Sequence, residues 1–166
     1  MAGQKPRTVL YRRRRELKTD YHKRLKLLSS SKPRLVVRFT NRKIISQVIV
    51  FSPVGDLVQA AVSSDQLKKH GWTVSGKNIP AAYLTGMLLA KTALKAGIKE
   101  AILDTGFKQP ELKGKIYAFL RGAIDGGLMI PYSDESIFPG QNKIEGEHLK
   151  SKGREQFTAV KKTISG

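Results

Sequence analysis

Apolar positions are sparse at the amino terminus until Tyr21, Leu25 and Leu28, which fall at i, i+4 and i+7 and predict one stripe of a short helix. Thr19-Asp20 just ahead supplies a side-chain oxygen to cap that helix, and Ser29-Ser30-Ser31-Lys32-Pro33 ends it. Lys23, Arg24 and Lys26 lie away from the stripe, so the expectation is a two-faced helix with its apolar side docked and its basic side outward. Residues 35–39, 44–51 and 57–62 then read as three strands rich in β-branched residues. The connections Asn41-Arg42-Lys43 and Ser52-Pro53-Val54-Gly55-Asp56 are short, which implies an antiparallel meander. Arg38, Ser46 and Gln47 interrupt the apolar runs, so part of one sheet face is expected to be polar.

Residues 63–77 read as a loop holding about one helical turn. Asn78 caps the next helix, with Pro80 in its first turn, where proline is tolerated. Its polar residues Thr85, Lys91, Thr92 and Lys95 share a narrow sector, which predicts a well-buried helix stopped at Gly97. Ala101-Ile102-Leu103 is a short apolar strand, and residues 115–127 form a second helix with Ile116, Phe119, Leu120, Ala123 and Ile124 at 3–4 spacing. Leu128-Met129-Ile130 offers one more strand. Beyond Pro131 the chain is polar and turn-rich, with a basic, weakly helical tail. No internal repeat is present.

The fold class expected from this order is α/β. A mixed sheet in β-β-β-α-β-α order carries helices on one face, with a basic N-terminal arm and helix and an irregular C-terminal tail. Three segments follow: an arm over residues 1–31, an α/β core over 32–131 and an extension over 132–166. The second sheet face is expected to be free, with the arm beside it.

Charge changes this picture more than hydropathy does. The 166 residues carry 31 Lys+Arg against 13 Asp+Glu, a net +18, and residues 1–43 alone hold 15 of the basic residues and two acids. So concentrated a charge repels itself, and a polyanionic partner is its natural complement. Cysteine is absent, which excludes disulfides, thiolate metal sites and a cysteine nucleophile and fits a reducing compartment. The basic N-terminus is followed by no apolar core of a secretory signal, and no apolar run nears the ~20 residues of a membrane span.

The runs Arg12-Arg13-Arg14-Arg15-Glu16, Lys18-Thr19-Asp20-Tyr21-His22-Lys23-Arg24-Leu25, Lys32-Pro33-Arg34-Leu35-Val36-Val37-Arg38 with Thr40-Asn41, and Gln47-Val48-Ile49 resemble the archaeal-type L-eighteen family of large-subunit ribosomal proteins. Gly71-Trp72, Ala81-Ala82-Tyr83-Leu84-Thr85-Gly86, Leu103-Asp104-Thr105-Gly106 and Gly122-Ala123-Ile124-Asp125-Gly126-Gly127-Leu128 continue the likeness in order, over roughly residues 7–150. The resemblance implies a structural, non-catalytic constituent of the large subunit that binds 5S ribosomal RNA in the central protuberance. It further implies contact with the 23S-type ribosomal RNA, a neighbour of the ribosomal protein L-five family, and residence in the cytoplasm. It implies no small-molecule substrate, cofactor or metal.

The candidate RNA-binding residues start with Arg12, Arg13, Arg14, Arg15, Lys18, Lys23, Arg24 and Lys26, which can meet phosphates and release counterions. Tyr11, Tyr21 and His22 interleave with them and could stack on unpaired bases, although Tyr21 fits core packing equally well. Lys32, Arg34, Arg38, Asn41, Arg42 and Lys43 would extend the surface along the first hairpin, and Lys108, Lys113 and Lys115 form a secondary set around the late loop. Met1 to Leu10 reads as a strand of chain threaded among RNA. Trp72 beside Gly71 reads as a packing anchor.

Other chemistries fare poorly. Leu103-Asp104-Thr105-Gly106 resembles an aspartic-protease signature, but that chemistry needs two carboxylates sharing a proton, and only one copy is present. Asp104 is instead expected to end a strand and bond loop amides. His22, His70 and His148 lack metal-ligand spacing. Gly122, Gly126 and Gly127 lack the Gly-Lys-Ser/Thr of a phosphate loop and fit close helix packing and a helix stop. The rival readings are a DNA-coating protein, which charge alone allows, and an RNA-processing hydrolase dependent on Asp104.

Overall fold

The computed structural model describes residues 9–147, 149 and 151–165. Two helices open the described chain, α1 (Arg12–Arg15) and α2 (Tyr21–Leu28), followed by strands β1 (Arg34–Phe39), β2 (Ile44–Val50) and β3 (Leu57–Ser63). A 3₁₀ helix (Ser64–His70), helix α3 (Ile79–Lys95), strand β4 (Ile102–Asp104) and helix α4 (Lys115–Asp125) come next. A 3₁₀ turn (Glu135–Ile137) and helices α5 (Gln141–Glu145) and α6 (Ser151–Ser165) complete it. The reading of Met1 to Leu10 as threaded chain falls almost wholly outside the described residues, as does His148.

The sheet order is β3-β2-β1-β4, with β1–β2 and β2–β3 antiparallel and β1–β4 parallel, so the sheet is mixed as expected. Register sends Leu35, Val37, Ile44, Val48, Ala60 and Val62 to one face, where they pack under α3 and α4. The expected strand at Leu128-Met129-Ile130 is reduced to a single parallel bridge between Glu100 and Met129 beside the chain entering β4. Asn78 caps α3 by accepting the Ala81 N–H at 2.8 Å.

Helices α3 and α4 meet backbone to backbone. A Cβ on Gly86 would land on the Phe119 carbonyl oxygen, and one on Gly122 would land on the Tyr83 carbonyl oxygen. These two glycines set the layer spacing, because any side chain there would hold the helices apart.

The C-terminal extension departs from the expected irregular tail. Helix α6 lays Phe157, Val160 and Ile164 against α3, where they form a second apolar cluster with Leu67, Trp72, Tyr83, Leu84 and Met87. Tyr83 and Phe157 have ring centroids 5.6 Å apart. Trp72 is 1% exposed, so it is a packing anchor of this cluster. Helix α3 is therefore buried between the sheet on one side and α6 on the other, which explains its nearly all-apolar sequence.

Candidate nucleic-acid interface

The second sheet face is not free. It presents Arg34, Val36, Arg38, Gln47, Ile49 and Asp104, which line a polar cleft of about 290 Å³ together with Arg13, Lys18, Thr19, Asp20 and Arg24 from the arm. The arm is seated on this face, and the way it is seated corrects the expectation for α2 at Leu25, Lys23 and Arg24. Asp20 caps the helix by accepting the Lys23 N–H at 3.1 Å. No residue of α2 is buried, and Leu25, in the middle of the apolar stripe, is 71% exposed. Charged residues make the polar contacts that tie the helix to the core, while Tyr21 and Leu28 of the stripe are half-buried. Lys23 Nζ donates to Thr105 Oγ1 at 2.8 Å and to the Gly106 carbonyl at 3.2 Å, and Arg24 Nη2 donates to Asp56 Oδ1 at 2.9 Å.

Beneath the arm lies an ionic network. Arg34, 4% exposed, donates Nη2 to Asp56 Oδ2 at 2.5 Å and Nη1 to Asp104 Oδ2 at 2.8 Å. Arg38 donates Nη1 to the Asp104 carbonyl at 2.9 Å and sets Nη2 3.5 Å from Asp104 Oδ1. Asp104 Oδ1 also accepts the Gly106 N–H at 2.8 Å, the loop-amide contact expected of it. A buried guanidinium is tolerable only when opposite charge and hydrogen bonds meet it, and two carboxylates do so here. Asp104 is thus an internal counterion to Arg34 and Arg38. Asp56 was absent from the sequence-derived site, although it is the carboxylate shared by the arm (Arg24) and the sheet (Arg34).

The candidate residues separate by exposure. Arg12, Arg13 and Arg15 of α1 are exposed and Arg14 is half-buried. Arg12 pairs with Glu16 at 3.5 Å, Arg13 donates to Thr19 at 2.9 Å, and Lys18 pairs with Glu16 at 2.7 Å, all at the surface. Arg14 and Arg15 form no ion pair among the described residues. Tyr11, 74% exposed, lies 5.3 Å from the half-buried Tyr21, centroid to centroid, so an aromatic face stands beside the arginines. His22 and Lys26 are exposed on α2. Lys32 pairs with Glu100 at 2.7 Å on the rim. Asn41 and Arg42 stand out in the β1–β2 turn, where Lys43 pairs with Asp65 at 3.1 Å; that hydrogen bond, more than any other contact, holds the Asp65 carboxyl below its usual range. Lys108 sits 5.2 Å over the Phe39 ring, and Lys113 and Lys115 are exposed near the start of α4.

Of the candidates, then, Lys23, Arg24, Arg34 and Arg38 are engaged within the fold, and the arginines of α1 with Tyr11 face outward around them. Electrostatically, Asp56 and Asp104 offset two of these four inner charges, and Glu16 pairs with Arg12 and Lys18 outside them, so the arm and the sheet face together keep a net positive charge. Among the described residues, no helix is long and apolar enough to cross a membrane, and no three His, Cys, Asp or Glu side chains converge as metal ligands.

Comparison with known proteins gives the same direction. A family model described as ribosomal large subunit proteins 60S L5 and 50S L18 matches residues 6–100. The large ribosomal subunit protein uL18 of Korarchaeum cryptofilum is 56% identical over 144 residues, covering 86% of this chain and 73% of that protein. The uL18 of Caldivirga maquilingensis is 49% identical over 142 residues, covering 85% and 68%. That of Methanoregula boonei is 45% identical over 153 residues, covering 92% and 87%.

Proposed function

The chain belongs to the uL18 family of large-subunit ribosomal proteins, in its archaeal type, and from that premise we propose that it binds 5S ribosomal RNA and helps attach it to the large-subunit RNA in the central protuberance. The family makes it a structural constituent of the ribosome rather than an enzyme. In this reading the arm of residues 1–31 is the main RNA-binding segment, residues 32–131 are the frame that displays it, and residues 132–166 buttress the frame through α3. A neighbour of the L-five family, a different chain, and a cytoplasmic setting complete the proposal.

One observation carries it: Arg12, Arg13 and Arg15 are exposed on a segment whose following helix is anchored by Lys23 and Arg24. Arginines displayed beside an exposed tyrosine suit phosphates and unstacked bases of RNA loops. The hydrolase alternative loses its motive, because the Asp104 carboxylate is occupied by Arg34, Arg38 and the Gly106 amide.

The test replaces Arg12, Arg13, Arg14 and Arg15 together by alanine, which leaves the sheet and its network untouched. Binding to 5S ribosomal RNA and to duplex DNA is measured at matched salt. The intact chain should prefer the RNA, and the variant should lose about 100-fold or more in affinity with a flatter salt dependence. Equal affinity of the intact chain for DNA would return the decision to the DNA-coating alternative.

A further inference from the structure

We propose a second binding site for the phosphate backbone of ribosomal RNA, in the cleft between the β1–β2 turn, the 3₁₀ helix and the loop that follows it, with Arg42 and Lys68 as its free cations. The proposal rests on the ribosomal RNA-binding function above and adds a place that no described residue of the arm lines. The cleft has a volume of about 760 Å³, and it shares no lining residue with the cleft under the arm. Arg42 and Lys43 line it from the turn, Asp65 and Lys68 from the 3₁₀ helix, and residues 72–76 complete the wall. Asp65 is the one carboxylate among the lining residues, and it is held by Lys43 at 3.1 Å. Arg42 and Lys68 are both exposed and form no ion pair among the described residues. Lys69 and Lys77 flank the cleft in sequence and are also exposed.

The walls are fixed before any ligand arrives. Thr40 Oγ1 accepts the Lys43 N–H at 2.9 Å and closes the turn. Ser64 Oγ accepts the Ile44 N–H at 3.1 Å and ties the helix to β2. A Cβ on Gly76 would meet that same Ser64 Oγ at 2.9 Å, so the loop lies directly on the helix. Trp72 Nε1 donates to the Ser75 carbonyl at 3.3 Å, and the Thr73 N–H donates to Gln156 of α6 at 3.1 Å.

Concave, rigid walls that carry unpaired positive charge focus potential on an anion. The occupant that fits is a nucleic-acid backbone. A protein partner would want a large aromatic or aliphatic anchor, but of the two apolar side chains lining the cleft Trp72 is 1% exposed, and Val74 is half-buried against the apolar cluster. For the same reason bases have no platform here, so the contact reads phosphates and not sequence.

The test uses the full chain with the double substitution Arg42→Ala and Lys68→Ala, and as control the charge-preserving pair Arg42→Lys and Lys68→Arg. The probes are 5S ribosomal RNA and deproteinised large-subunit ribosomal RNA, each titrated across a range of salt, with thermal melts to confirm folding. The alanine pair should weaken binding to one of the two RNAs about tenfold and flatten its log–log salt slope by about 2, while the control pair keeps both. Unchanged affinity and slope toward both RNAs, while the arm variant loses binding, overturns the cleft and leaves the proposed function standing. If the alanine pair binds both RNAs normally yet fails to enter large subunits, the cleft serves a protein and the proposal is overturned. If the intact chain shows no preference for either RNA over duplex DNA, the underlying function falls and the cleft falls with it.

Discussion

Replacing Asp104 by asparagine should destabilise the fold by about 3 kcal/mol, and the value follows from the network. The side chains of Arg34 and Asp104 are 5% and 8% exposed, so solvent screens their contact little. Asparagine keeps one oxygen, which can still accept the Gly106 N–H. Its amide nitrogen then faces Arg34 Nη1, donor against donor. A charge-assisted hydrogen bond is worth about 1.5–3 kcal/mol net, and stranding a buried charge by deleting its partner costs about 3–5. Arg34 retains Asp56, which places the expectation at the lower end of that range. In a domain of this size the loss lowers the melting temperature by roughly 6–12 °C. Urea unfolding, with the slope checked for constancy, measures the free energy directly. Adding Arg34→Met to the asparagine variant removes the stranded guanidinium and should recover part of the loss, since Asp56 keeps Arg24. A loss below about 1 kcal/mol for Asp104→Asn, or a double variant less stable than the single, would refute the view that this buried network is held together by charge.

Three other outcomes are expected. Gly86→Ala and Gly122→Ala each place a methyl group on the opposite helix backbone and should cost about 3 kcal/mol or more in a urea titration, whereas Gly140→Ala, whose Cβ meets nothing within 4 Å, should cost little. Phe157→Ala should lower stability by about 3–5 kcal/mol by calorimetry, because its ring is buried against Tyr83; a loss near zero would mean that α6 is not part of the fold. Burial, then the hydrogen bond to Asp125, raises the Tyr83 phenol, so in an ultraviolet titration it should ionise above the ordinary tyrosine range. With the folded value raised, stability from this group is complete below about pH 10 and drains away as pH rises beyond it.

The α/β frame was legible because apolar runs, turn residues and the cap of α3 coincide with its elements. Asn78 with Pro80 marks the start of α3, and runs rich in β-branched residues bounded by polar turns mark β1 to β3. The arm helix was misread for a definite reason. Pattern reading turns charged residues toward water, yet Lys23 and Arg24 point inward because partners 32 and 82 residues away receive them. Nothing local announces those partners. Arg34 was assigned to the binding surface on the same basis, while its carboxylates lie 22 and 70 residues on in the chain. In the tail, Phe157, Val160 and Ile164 form a stripe only one residue wide among polar neighbours. That stripe suffices once α3 offers an apolar face, and is too thin to predict alone. The cleft beside Arg42 was invisible because it joins a turn, a 3₁₀ helix and a loop that are separate in sequence.

Asp56 receives Arg24 from the arm and Arg34 from the sheet with the two oxygens of a single carboxylate. The arm helix is thereby seated by its own chain, with no nucleic acid needed to shape it. Fixing a residue's backbone costs on the order of 1–2 kcal/mol of conformational entropy. For the eight residues of α2 that cost falls on folding rather than on association. A partner then meets a preorganised helix, keeps more of the contact energy as affinity, and avoids the delay of ordering the helix on arrival.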